Sequence, residues 1–289
     1  MSNKYPIRLG LTMWSHNQWQ HSFYGSGTKP GERLARYAQV FHSVEGNTTF
    51  YASPSSSTVN NWNSATPDDF RFTFKLPSTI THQQKLSHCD QLVSEFIHLM
   101  EPLHQKIGLW KIQLPAAFTP HSLPILERFI DRFPKHLPLG VEVRHLGFFD
   151  KGEQEQKLNR MLIEKHVDRI IMDSRPVFSA PPITEAVIEA HNNKPKVPVH
   201  AISTANTPMM RFIGHPDMAS NDAFFTPWLT KLETWVKEGK QPFVFIHTPD
   251  NVEAPELADR LYQQLQQRLT LPDLTPICPE PPSNQLPLL

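Results

Sequence analysis

The feature that most constrains this chain is a rhythm. Eight short strand-like runs alternate with stretches whose apolar residues recur at helical spacing. The strand candidates are residues 7–12, 41–45, 70–75, 107–114, 140–144, 169–173, 209–214 and 243–247. Helical patterns occupy 32–40, 55–62, 90–103, 123–133, 153–165, 225–237 and 254–269. Such alternation implies parallel strands joined by helical crossovers. Eight units closing on themselves predict an α/β fold, a single-domain (β/α)8 TIM barrel over residues 1–270. An open doubly wound sheet is disfavoured, because no Gly-rich phosphate turn follows the first strand.

Two stretches break the rhythm. Residues 175–208 form a long, Pro-rich connection between the sixth and seventh strands. Segments of that length inside a barrel serve as lids or binding loops. Its basic, stiff part is Lys194-Pro-Lys-Val-Pro-Val-His200; the plainer reading is a decorating helix over 183–190 with a surface return. Residues 271–289 form a Pro-rich tail, expected to be extended.

Composition narrows function by exclusion. The 28 Lys+Arg balance 28 Asp+Glu, so nothing draws the whole molecule to nucleic acid or to an anionic membrane. Cys89 and Cys278 build no disulfide framework. No secretory pattern opens the chain, and no apolar run nears the roughly 18 residues of a membrane span. The expected setting is the cytoplasm, away from membranes.

Chemistry gathers at the strand ends. In the run from Leu139 to Phe149, Val141 and Val143 share one face while Glu142 and Arg144 share the other. Unpaired charge is expensive in an ordinary core, so this strand is expected to line a site. Strand C-terminal ends meet in one mouth in this fold. Reading inward faces by parity brings Glu45, Lys75, Glu142 and Asp173 there as catalytic candidates. Trp14, Asn47, Tyr51, Gln113, Arg144, Arg175, Arg211 and His247 join them as substrate-binding candidates, with Thr12 beside them. A slight cationic excess favours a small phosphate- or carboxylate-bearing ligand. Carboxylates, and a lysine among arginines, suit general acid–base chemistry. The competing reading makes the same charges an ion-pair network that plugs the barrel. No His-x-x-x-His pair, cysteine pair or acidic loop is present, so neither a metal nor another cofactor is expected. The aromatic loop from Trp14 to Tyr24 is either a stacking platform or a satellite cluster.

Several of these stretches resemble a known family. They include Val44-Glu-Gly-Asn-Thr-Thr-Phe-Tyr51, Phe70-Arg-Phe-Thr-Phe-Lys75, Gln113-Leu-Pro115, Val141-Glu-Val-Arg-His145, Asp173-Ser-Arg175 and Arg211-Phe-Ile-Gly214. As an ordered set they resemble the YecE-like family, domain of unknown function 72. Lys194-Pro-Lys-Val-Pro-Val-His200 and Phe245-Ile-His-Thr-Pro-Asp250 are similar to its enterobacterial branch. The resemblance implies a TIM barrel and supplies no reaction. Two positions depart from the common pattern: Thr12-Met-Trp14 in the first turn, and His247-Thr-Pro-Asp250 where many members are asparagine-rich. The leading expectation is therefore an enzyme, a hydrolase or isomerase acting on an anionic substrate. Its rivals are a non-catalytic nucleic-acid or nucleotide binder and a metal-dependent phosphodiesterase.

Overall fold

A computed structural model describes residues 4–277. Its nine parallel strand segments are β1 (Arg8–Leu11), β2 (Ser43–Gly46), β3 (Arg71–Lys75), β4 (Ile107–Gln113), β5 (Leu139–Glu142), β6 (Asp168–Arg169), β7 (Ile171–Asp173), β8 (Met209–Ile213) and β9 (Phe243–His247). They run β6-β5-β4-β3-β2-β1-β9-β8-β7 across one sheet. β6 pairs with β5, and β7 pairs with β8. Only Ile170 separates them, and its N–H donates to the Val141 carbonyl at 2.8 Å. β6 and β7 are thus two halves of one broken strand, and the sheet curls round as the expected eight-unit barrel.

The helices outside it are α1 (Arg33–Val40), α2 (Ser56–Ser64), α3 (Asp90–Leu99), α4 (Leu123–Arg132), α5 (Glu153–Glu164), α6 (Arg175–Ser179), α7 (Glu185–Asn193), α8 (Asp222–Lys237) and α9 (Ala254–Gln266). Strand alternation decides what meets them. Phe72 and Phe74 of β3 point outward, where Trp62 of α2 stacks on Phe74 at 5.4 Å between ring centroids. Each such ring, fully buried, contributes about 1.5–3 kcal/mol. The intervening Thr73 and Lys75 are left facing the barrel interior.

That interior is filled in two tiers. Leu109, Ile170, Met209, Phe243 and Phe245 form an apolar plug near the strand N-termini. Gly140 lets the plug close, since a Cβ there would lie 2.7 Å from Leu109 and 3.0 Å from Ile170. Charged side chains occupy the tier above.

The 175–208 connection folds back over the barrel. Val177 of α6 and Ala190 of α7 are buried against Met172 and Ile213. His200, on the extended return, reaches Glu155 of α5 at 2.6 Å, and Arg169 bonds the same carboxylate at 2.8 Å. The described part of the tail, 271–277, carries no helix or strand. Leu271, Leu274 and Ile277 pack on the core, and Tyr262 donates to the Pro272 carbonyl. The remainder of the expected tail, 278–289, lies outside the described residues. No described helix is long and apolar enough to cross a membrane.

Candidate functional site

The upper tier is built from inward-facing residues of six strands. Glu45 comes from β2, Lys75 from β3, Lys111 from β4, Glu142 from β5, Arg211 from β8 and His247 from β9. Lys111 Nζ donates to Glu45 Oε1 at 2.8 Å and lies 2.5 Å from Glu142 Oε2. Arg211 bridges the same two carboxylates, Nε to Glu45 at 3.0 Å and Nη1 to Glu142 at 2.9 Å. Arg144 closes on the remaining Glu142 oxygen through Nε and Nη2, at 2.9 and 2.8 Å. Arg211 Nη2 also approaches His247 Nε2 at 3.4 Å. A guanidinium can only donate, so Nε2 accepts and the imidazole proton sits on Nδ1, facing Thr12 Oγ1 at 3.2 Å.

Lys75 behaves differently. It is 8% exposed, and its ammonium lies 5.6 Å from the Phe50 ring centroid. Unlike Lys111, it holds no carboxylate ion pair among the described residues. Lys194, arriving from the end of α7, feels the charges of Arg211, Glu45 and Arg144 and has no ion-pair partner among the described residues. Five cationic side chains (Lys75, Lys111, Arg144, Lys194, Arg211) therefore surround two carboxylates.

The protonation states follow. Burial alone would raise Glu45 and Glu142, but the cations outweigh it. Arg211 and Lys111 lead at Glu45, Lys111 and Arg211 at Glu142, and both acids are held below the ordinary carboxylate range. Burial, then the charges of Lys111 and Arg211, pushes Lys75 well below the usual lysine value. Burial, then Arg211 and Lys194, likewise lowers His247. Both carboxylates are thus held ionised, while the amine and the imidazole are biased toward their neutral forms.

A family model described as "Protein of unknown function DUF72" matches residues 8–283. The chain belongs to the DUF72 family. It is 48% identical to the UPF0759 protein YecE of Escherichia coli K12 over 280 residues, covering 97% of this chain and 99% of that one. Among solved structures it resembles a DUF72 protein of Enterococcus faecalis V583, with TM-score 0.71 and 20% identity over 93% of this chain and 98% of that one. A DUF72 protein of Thermotoga maritima MSB8 gives TM-score 0.70 and 22% identity over 90% and 99%. At that identity the two structures speak for the fold, a TIM barrel.

In this DUF72 chain the residues singled out from sequence do not all meet. Glu45, Lys75, Glu142, Arg144, Arg211 and His247 do. Asn47 stands beside them, donating to the Thr12 carbonyl at 2.9 Å, and Gln113 is buried at the tip of β4. Asp173 is a correction. Met172 is the residue in register with the inward Arg211, so Asp173 faces outward with Phe212. There it accepts from Trp228 Nε1 of α8 at 2.7 Å and from Arg175 at 2.9 and 2.7 Å. Arg175 goes with it, paired away from the cluster. Trp14 is another correction: it packs edge-on to Trp62 at 5.3 Å and Phe72 at 6.4 Å, on the helix side of the sheet. Trp19, Phe23 and Tyr24 form a buried satellite cluster with Tyr37 and Phe41. Tyr51 is 80% exposed on the segment after β2. Sequence reasoning missed Lys111 as a site residue, though it shares the face of Gln113 two residues earlier. It noted Lys194 only as part of a basic loop.

Proposed function

We propose that the barrel mouth binds a small phosphate- or carboxylate-bearing substrate, and that the chain is an enzyme in which Lys75 moves the proton. One observation carries this reading: Lys75 and Lys194 are lodged beside a cluster whose two carboxylates are already neutralised by other cations. Uncompensated charge out of water is costly, and an arriving anion would relieve the cost. Glu45 and Glu142, held strongly acidic, are poor general bases near neutral pH. Their role is to fix Lys111, Arg211 and Arg144. Lys75 and His247 are better placed to accept a proton, which suits hydrolysis or isomerisation. A metal ion fits poorly, since Lys111 and Arg211 hold the oxygens it would need. The mouth is expected to operate in the cytoplasm.

An anion seated on Lys75 raises the amine's proton affinity, so binding takes up a proton from solution. Titration calorimetry with inorganic phosphate, in buffers of different ionisation heat, reads that uptake directly. Lys75→Ala should abolish it and weaken binding by about tenfold to a hundredfold, the loss expected for a charged hydrogen bond. Phosphate binding that is unchanged in Lys75→Ala, or no binding at all, removes the reading. The exposed Tyr51 supports a second form of it, in which the anion belongs to a nucleotide whose base stacks there. A polynucleotide would instead show affinity falling steeply with added salt.

A further inference from the structure

We propose a second binding site on the outer side of β4: a cleft between α3 and α4 that takes a small molecule with an apolar body and one hydrogen-bond acceptor, received by the indole N–H of Trp110. The cleft encloses about 500 Å³. That is within the roughly 300–1,000 Å³ typical of small-molecule sites. Its walls are Val93 and Ile97 of α3 and Phe129 and Phe133 at the end of α4, with Ile107 and Trp110 of β4 as its floor. Trp110 is 2% exposed and packs edge-on to Phe96 at 5.4 Å between ring centroids. Its Nε1–H has no acceptor among the described residues.

That orphan donor is the telling feature. A buried N–H without a partner is destabilising, and buried polar groups in folded proteins nearly always find one. Phenylalanine, already used at Phe72 and Phe74 on the next strand, would fill the outward position without that penalty. Tryptophan at this point, on the floor of an apolar cleft, is accounted for if an acceptor arrives with a ligand. Arg132, His98 and His136 line the cleft together with Asp90 and Glu101, which lie 3.1 Å from Arg132 and 3.4 Å from His98, so a polar outer end of the ligand would not be stranded in an apolar wall. Trp110 and Lys111 project from opposite faces of β4. The cleft therefore shares no lining residue with the charged cluster, and its occupancy is testable separately from the mouth.

The probe is 8-anilinonaphthalene-1-sulfonate, whose apolar rings and sulfonate oxygens carry both required features, titrated into the full chain. Saturable one-to-one binding with enhanced emission is expected. Ile97→Trp, at a half-buried helix position where a larger ring can enter the cleft, should lower affinity at least tenfold. Trp110→Phe keeps the apolar floor, removes the donor and should weaken binding about fivefold to tenfold, as one hydrogen bond would. Lys75→Ala should leave the affinity unchanged, which separates this site from the anion-binding mouth. Absence of saturable binding, or binding untouched by Ile97→Trp or by Trp110→Phe in variants whose circular dichroism matches the parent, overturns the proposal.

Discussion

Lys75 and Lys111 stand in register on adjacent strands, and the fold asks opposite things of them. Lys111 is one of two cations, with Arg211, that the two fully buried carboxylates share. Lys111→Met leaves both without it, and breaking a buried pair from one side costs about 3–5 kcal/mol. A large fall in the urea midpoint is the expected result. Lys75 has no such partner, and its surroundings disfavour its charge. Lys75→Met should leave the unfolding free energy unchanged or raise it by up to about 1 kcal/mol, the mark of a residue kept for function rather than for the fold. Equal destabilisation by both substitutions would restore the view that the cluster is only a structural plug. The inward faces of Glu45, Lys75, Glu142, Arg211 and His247 were legible because strand alternation is strict. Lys111 follows the same parity but lies two residues short of the β4 tip, below the level at which strand ends mark a barrel mouth.

At the scale of elements, the break at Ile170 decides which acid joins the cluster. Two short halves, one paired to β5 and the other to β8, put Met172 inside and Asp173 outside. The run 169–173 announces a strand but says nothing of where its pairing changes sides, so parity counted along it was free to slip. Asp173 instead pins α8 through Trp228 and the start of α6 through Arg175. Asp173→Asn should therefore cost about 1–3 kcal/mol in unfolding experiments, since it leaves donors of Trp228 or Arg175 unmet. Phosphate affinity at the mouth should not change. A loss of affinity without a loss of stability would put Asp173 back among the site residues. The 175–208 connection was readable as a lid or binding loop, but the residues it packs on were not. Its contacts with Met172 and Ile213 join residues distant in the chain, and no local pattern encodes them.

For the molecule as a whole, the barrel could be read before any coordinate because each of its eight units repeats one local pattern. Its pH response could not, because that depends on which ionisable groups the closed barrel buries. Two groups outside the mouth oppose each other. His42 is buried against Tyr5 at 3.8 Å between ring centroids, and burial, then the charge of Arg8, lowers it to about 4. The unfolded chain takes up this proton near pH 6.5 and the folded chain does not. His42 therefore favours the fold above pH 6.5, and that contribution is lost as pH falls toward 4. Asp168, at the start of β6, is pushed up to about 6 by burial even though the Thr207 amide and hydroxyl donate to it. Here the folded chain holds the extra proton, so the contribution is present at low pH and is lost as pH rises through 6. Each amounts to about 3 kcal/mol across its window, and between pH 4 and 6 they nearly cancel. Single substitutions should uncover them. His42→Phe, measured against the parent by urea unfolding, should gain about 3 kcal/mol in relative stability as pH falls from 6.5 to 4. Asp168→Asn should lose a similar amount over pH 6 to 4. The two difference curves must slope in opposite directions; a curve that is flat, or slopes the other way, would mean that its group is not buried in the protonation state assigned to it.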